Sequence, residues 1–268
     1  ERGFYGIGLK MYDALAGGRG LGGTQWLTSA QVRELLPGVR DRGLWGGVKY
    51  WDGQFDDARL AVALARTAQA RGACVLNHCR VSALAGAGAK LRGLTAQDTE
   101  TGESFQIEAG CIVNATGVWV DAVRDMDRVA GAPAPAPMVA PSQGVHLVVD
   151  RDFLPGDHAL LVPKTADGRV LFAVPWMGKT VLGTTDTPRQ DVAAEPAPFR
   201  DVVDFILREA GRYLRRAPTR ADVRSVWVGL RPLVKPDTSA GAATQTISRE
   251  HTVRLAPSGL VTVTGGKW

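Results

Sequence analysis

Residues 111–123 read CIVNATGVWVDAV, and the fold turns on how that stretch is interpreted. A short apolar run, Cys111 to Asn114, gives way to Ala-Thr-Gly and then to a helical pattern. A buried strand that hands its chain to a helix through a glycine turn presents backbone N–H groups and a partial positive charge to an anion. Many α/β proteins use such a turn for packing alone, so the motif needs a partner. Residues 260–268, LVTVTGGKW, supply it. Leu260 to Thr264 reads as a buried parallel strand, without the alternation of a half-exposed one. Gly265-Gly266 then lets the backbone turn sharply or approach another group closely. We expect this strand to return to the region of residues 111–123. A turn of this kind normally feeds a helix, so we expect Trp268 to mark a cut through a cofactor-binding turn. The opening, ERGFYGIGLKMYDAL, likewise starts inside an expected helix and has no signal-peptide pattern.

Outward from that centre the pattern is strand and helix by turns. Upstream, Thr28-Ser29 caps a helix over SAQVRELLPGV that Pro37-Gly38 ends, and GGVKYWDGQF alternates like a strand. Asp56-Asp57 open the periodic helix ARLAVALARTAQARG, which Gly72 stops. ACVLNHCRVSAL, LRGLTAQDT and ESFQIEAG follow as a strand and a hairpin turning at Glu100-Thr101-Gly102. GGRGLGG, residues 17–23, matches a phosphate loop in glycine content only, because no strand precedes it. Downstream, GAPAPAPMVAP (131–141) reads as a linker at a domain crossover. Beyond it come strands in GVHLVVD, HALLVPK, RVLFAVPW and KTVLGTTD, a helix in FRDVVDFILREAGRYL, and strand-like SVWVGLRPLV and ATQTISREHTVRLA. The fold class expected is α/β (α+β), one α/β region interrupted by a mostly antiparallel one.

No apolar run approaches the roughly 20 residues that span a bilayer. A net charge of +5 permits an anionic substrate or an anionic membrane surface and decides neither. The arginines of GRYLRRAPTRADVR (211–224) lack interleaved aromatics, so a solvated face is expected and no nucleic acid partner. Cys74, Cys79 and Cys111 fit no common zinc spacing; CVLNHC is read as alternation on a half-buried strand, with no metal. Two cations stand out. Arg231 interrupts the apolar run VGLRPLV and is stiffened by Pro232, and Arg249 lies in TISREH. Arginine captures phosphate or carboxylate bidentately, although for either residue alone a surface position or a salt bridge to an aspartate is the preferred reading. His146, in SQGVHLVVD, is a structural strand residue or a proton carrier.

YGIGLKMYDALAG, YWDGQFDDARLA, NATGVWVDAV, SQGVHLVV, LGTTD, WVGLRPLV, TISREH and GGKW occur in this order from one end of the chain to the other. Together they resemble the FAD-dependent glycerol 3-phosphate dehydrogenases of the aerobic respiratory type. The resemblance implies part of a glutathione-reductase-type FAD-binding domain (54–131 and 257–268) with an inserted mixed or antiparallel-sheet substrate domain (1–53 and 132–256). It implies FAD near Ala115, Thr116, Gly117 and Trp119, with the adenine met by Val81 and the flavin ring by Gly265 and Gly266. Arg231, Arg249, His146 and Lys267 would gather round the substrate, with His146, Arg231 and Lys267 in catalytic roles. The implied reaction moves a hydride from C2 of sn-glycerol 3-phosphate to the flavin, gives dihydroxyacetone phosphate, and passes electrons to a membrane quinone. The implied setting is cytoplasmic, peripheral on the inner membrane, with a possible homodimer. Val118 departs from the family, many of whose members have proline there. The family's N-terminal glycine-rich fingerprint is also absent, so this chain is expected to hold FAD weakly and to be inactive by itself.

Two rival readings stay open. An amine or amino-acid oxidase of the same fold would place a carboxylate where the phosphate is expected; two arginines and a lysine suit a dianion better. A flavin-free, inert fragment is the alternative outside enzymes.

Overall fold

A computed structural model describes residues 2–86, 90–129, 131–166, 168–235 and 250–266. Five α-helices are described: α1 (Arg2–Ala16), α2 (Ser29–Leu35), α3 (Asp57–Ala70), α4 (Val120–Met126) and α5 (Arg200–Tyr213). Strands β1 (Gln25–Thr28), β2 (Gly46–Lys49), β3 (Cys79–Ala85), β4 (Gly93–Asp98), β5 (Ser104–Glu108) and β6 (Ile112–Asn114) come first. Then come β7 (Val139–Asp150), β8 (Leu160–Val162), β9 (Leu171–Trp176), β10 (Lys179–Gly183), β11 (Thr187–Pro188), β12 (Ser225–Val234), β13 (His251–Leu255) and β14 (Leu260–Gly265). The chain divides into two compact units. One holds residues 1–61, 145–185 and 198–227; the other holds 62–144, 186–197 and 228–268. The boundary falls inside both β7 and β12.

In the first unit, the second half of β7 pairs antiparallel with β10, which pairs with β9, which pairs with β8. Val145, Leu147 and Val149 alternate with less buried neighbours and are fully buried. α5 packs against β9 and β10, burying Val202, Ile206 and Ala210 on its inner side. α2 begins at Thr28, whose hydroxyl accepts from the Gln31 amide while the Gln31 side chain accepts from the Thr28 amide. A cap was expected at Thr28-Ser29, and the structure adds the reciprocal bond from Gln31.

In the second unit, β6 and β14 run parallel, with Leu260 opposite Ile112 and Thr262 opposite Asn114, and β13 lies antiparallel on the far side of β14. The apolar run before Gly265 is thus the parallel strand its composition indicated. Ile112 and Leu260 pack with Leu84, Leu91 and Val123 in one core. β3, β4 and β5 form an antiparallel sheet whose second hairpin turns at residues 99–102, with Gly102 at φ 81°. Residues 133–138 of the Pro/Ala-rich stretch carry no regular structure.

Two strand expectations are corrected. β2 ends at Lys49, and residues 50–55 are irregular. Residues 73–78 are also irregular; the strand begins at Cys79, just after His78 at φ 53°. A strand exists only where a neighbour accepts its ladder hydrogen bonds, and β4 reaches no further along β3 than Cys79, which faces Asp98. CVLNHC is therefore mostly an exposed loop, so the alternation expected of it is absent.

Candidate functional site

The centre of the site is the turn after β6. Asn114 is 2% exposed. Its Nδ2 donates to the Val120 carbonyl at 2.9 Å, and its Oδ1 accepts from the Thr116 hydroxyl at 2.8 Å. One buried amide thereby clamps both ends of the turn and leaves Ala115 and Thr116 at the surface. Gly117 takes φ 63°, a left-handed conformation costly for a residue with a Cβ. A 3-10 turn over Gly117–Trp119 then enters α4. Trp119 is 40% exposed, and its indole N–H donates to the Val192 carbonyl at 2.8 Å.

Asp121 opens α4 and anchors the start of β7. Its carboxylate accepts from the Met138 amide at 2.9 Å and the Val139 amide at 3.1 Å, and pairs with Arg124 at 2.6 Å. The first residue of β7 is thus tied to the helix that leaves the glycine turn. α4 spans only seven residues, so exposed backbone amides of the turn, more than a long helix dipole, are what an anion would meet.

The turn after β14 lies at the same end of the sheet, because β14 is parallel and adjacent to β6. Gly265 and Gly266 take φ 82° and 89°. A Cβ on Gly265 would sit 2.6 Å from the Glu250 carbonyl oxygen and 2.6 Å from Val234 Cγ2. Only glycine fits there. In open α/β sheets ligands are received outside the carboxyl ends of the strands, and Gly117 and Gly265-Gly266 lie at that end of the neighbouring parallel strands β6 and β14. Bare backbone beside the turn suits a flavin cofactor, which needs close approach to planar and phosphate groups. Val81 lies within β3 opposite Ala96, beside a bulge, and packs on the Leu84–Ile112 core. The strand expected over ACVLNHCRVSAL thus carries Val81 near its start, because it begins only at Cys79.

Arg231 lies on β12, half-buried, with its guanidinium laid over the backbone of Gly144. A Cβ on Gly144 would be 2.8 Å from Arg231 Cζ and 2.5 Å from Nη2. In the other unit, the His146 ring lies 5.8 Å from the Trp227 ring, centroid to centroid, tilted by 47° to it, and the imidazole covers Gly183 where a Cβ would otherwise be. Arg249 and Lys267 lie outside the described residues.

Three residues escaped the sequence reading. Asn114 and Asp121 stood inside the decisive motif; a buried amide two positions before a threonine, and an acid in a first helical turn, were the available signals. Arg189 gave none. It donates to Gln143 Oε1, to the Ala197 carbonyl at 3.0 Å and to Asp191, holding β11 on β7.

Residues 7–267 match the family model described as DAO, FAD dependent oxidoreductase, and the chain belongs to that family. FAD is the cofactor that this family and the similar FAD-bound structures share. It is similar to the mitochondrial glycerol-3-phosphate dehydrogenase of Arabidopsis thaliana, 42% identical over 99% of this chain and 42% of that one. It is also similar to the mitochondrial glycerol-3-phosphate dehydrogenase of Rattus norvegicus, 40% identical over 99% of this chain and 37% of that one. The chain thus spans about two-fifths of the length of these relatives. Among solved structures, the glycerol-3-phosphate dehydrogenase of Bacillus halodurans complexed with FAD matches with a TM-score of 0.74 and 36% identity, over 90% of this chain and 45% of that one. A glycine oxidase of Bacillus cereus has a TM-score of 0.66 at 18% identity, covering 99% of this chain and 63% of that one, which shows a shared fold. No helix among the described residues is long and apolar enough to cross a membrane.

Proposed function

We propose that this chain contributes the flavin-covering turns and the phosphate-binding arginine of an enzyme that oxidises sn-glycerol 3-phosphate to dihydroxyacetone phosphate. The observation that carries the reading is Arg231 laid on Gly144, an arginine drawn into an apolar strand at a point where only a hydrogen leaves it room. Arginine held this way is pre-organised for bidentate capture of a phosphate. The similarity to glycerol-3-phosphate dehydrogenases names the phosphate ester.

Bound FAD supplies the acceptor for the hydride that leaves C2. Ala115, Thr116, Gly117 and Trp119 line its pyrophosphate side and Gly265 and Gly266 its ring, with Val81 at the adenine. Arg231 and Arg249 hold the substrate phosphate, two cations for a dianion. His146, its ring steadied by Trp227, takes the proton of the C2 hydroxyl. Lys267 stabilises negative charge growing on that oxygen. Residues 54–131 with 257–268 belong to the FAD-binding domain and 1–53 with 132–256 to the substrate domain. Electrons then pass to a membrane quinone, which places the enzyme peripherally on the quinone-bearing membrane, as a possible homodimer.

Rapid-mixing reduction of the flavin-loaded enzyme by saturating glycerol 3-phosphate, in parallel with glycine and other amino acids, tests the reading. Bleaching by glycerol 3-phosphate alone is expected. Bleaching by an amino acid in preference would overturn it in favour of an oxidase acting on a carboxylate substrate.

A further inference from the structure

The arginine-rich stretch 211–224 remains unused by the proposed chemistry, and its arginines fall into two groups. Arg215 pairs with Asp41, Arg216 with Asp152 while covering the Phe153 ring, and Arg224 with Asp150. These tie neighbouring segments together. The other group lines a groove of about 490 Å³ in the first unit, where Arg40, Arg208, Arg212 and Arg220 face a single acid, Asp204.

The fold builds this groove deliberately. Asp204, Arg208 and Arg212 are four apart along α5 and share one face of it. At Gly211 the loop that leads to Arg220 comes so close that a Cβ would lie 2.9 Å from Ala217 Cβ. Arg40 is brought to the end of α5 by two backbone contacts, its own amide donating to the Tyr213 carbonyl at 2.8 Å and Val39 bridging Leu214. Asp204 is committed to Arg220 at 2.7 Å, and Arg212 to the buried Glu209 at 3.1 Å. Arg40 and Arg208 form no ion pair among the described residues. A cation near a helix C-terminus is ordinarily favourable, which accounts for Arg212. Arg208, outside the last turn, lies with its Cζ 5.7 Å from the Phe205 ring centroid and one turn from Asp204, and Arg40 is delivered from a separate segment. Like charges gathered on one concave surface repel unless an anion is expected between them.

We propose that this groove is a second anion site, which takes the phosphate group of a small soluble phosphate ester, separate from the proposed substrate site. Its volume is that of a small-molecule pocket. Guanidinium groups arriving from α5, from the loop after it and from the segment at Arg40 can meet a phosphate from several sides, the geometry in which bidentate contacts add.

The test uses the purified chain with pyrophosphate as probe, followed by isothermal titration calorimetry at near-physiological salt. Arg40→Gln with Arg208→Gln removes the two guanidinium groups whose loss strands no carboxylate; Arg208→Lys is a milder second variant, and unchanged thermal melting verifies the fold of each. Saturable binding of one pyrophosphate is expected. It should weaken by roughly tenfold or more in the double variant, as loss of charged hydrogen bonds implies. Equal affinity in the wild-type chain and the double variant overturns the proposal, and so does non-saturable binding. Loss in Arg231→Ala alone would show that the probe occupies the proposed substrate site, and also overturns it. Sedimentation with phosphatidylglycerol vesicles separates the two sources of phosphate. If the double variant loses vesicle binding while pyrophosphate never saturates the wild-type chain, the groove is a lipid-headgroup surface and the soluble-ligand assignment fails.

Discussion

Two glycines, one pressed by a side chain and one by main chain, illustrate how a single hydrogen atom decides a site. A methyl group at Gly144 would collide with the guanidinium of Arg231, which is the far end of a flexible side chain and can move away. We therefore expect Gly144→Ala to melt close to wild type but to bind glycerol 3-phosphate more weakly. The loss should approach that of Arg231→Ala, about 1.5–3 kcal/mol for a charged hydrogen bond. Substrate titration of flavin bleaching beside a thermal melt measures both. Wild-type affinity in Gly144→Ala would remove the argument for Arg231. Gly265→Ala is the opposite case, since its Cβ would strike the Glu250 carbonyl oxygen at 2.6 Å from a backbone already at φ 82°. That clash is with main chain, and we expect a fall in stability of about 1–3 kcal/mol. Arg231 stands out in the sequence because an arginine among apolar strand residues is conspicuous. Arg189 was not: Gln143, 46 positions away, becomes its partner only once β11 is laid on β7.

Elements were legible where local chemistry specifies them and not where a distant partner does. α2 carries its own cap, α3 its own acid and glycine, and the β4–β5 hairpin its own turn. The alternation over 73–78 misled because a ladder needs a second strand, which no local pattern reports. The tie between α4 and β7 is equally non-local, and it rests on Asp121. Removing that carboxylate by Asp121→Ala leaves the amides of Met138 and Val139 without acceptors, and we expect a loss of about 1–3 kcal/mol in chemical denaturation. Asp150, at the end of β7, offers a test in pH. Hydrogen bonds from Arg224, then from Lys179, hold its carboxyl below its ordinary value of 3.8, at about 2. A carboxyl whose pKa is depressed by folding binds its proton less readily in the native state. Its contribution is complete above about pH 4 and is lost as pH falls towards 2. The difference in melting temperature between wild type and Asp150→Asn should accordingly shrink across that window. A difference that stayed constant from pH 5 to pH 2 would assign the tie to something other than the ionised carboxylate.

For the molecule as a whole, the family-level motifs were legible because they are contiguous, whereas the surfaces that the chain leaves open emerged only from the structure. Phe4, Ile7, Met11 and Leu15 recur along α1 at helical spacing and are 79%, 62%, 64% and 86% exposed. α3 buries no residue fully, although its sequence has the period of a packed helix. β6 ends its sheet with Val113 57% exposed and, among the described residues, pairs on one side only. Contiguous apolar surface and an open strand edge are two distinct routes to association. The helix surface is much the larger in apolar side chains. At about 25 cal/mol per Å² of apolar surface removed from water, it is the stronger drive. We expect the isolated chain to gain mass with concentration in analytical ultracentrifugation and to bind an apolar dye such as ANS. Ile7→Glu with Met11→Glu places two charges on the α1 stripe and should suppress both effects. Val113→Lys charges the β6 edge and should reduce association only slightly. If Val113→Lys abolished association while the α1 double variant left it intact, the strand edge would be the contact after all. A chain that stayed monomeric and bound no dye at every concentration would exclude both routes.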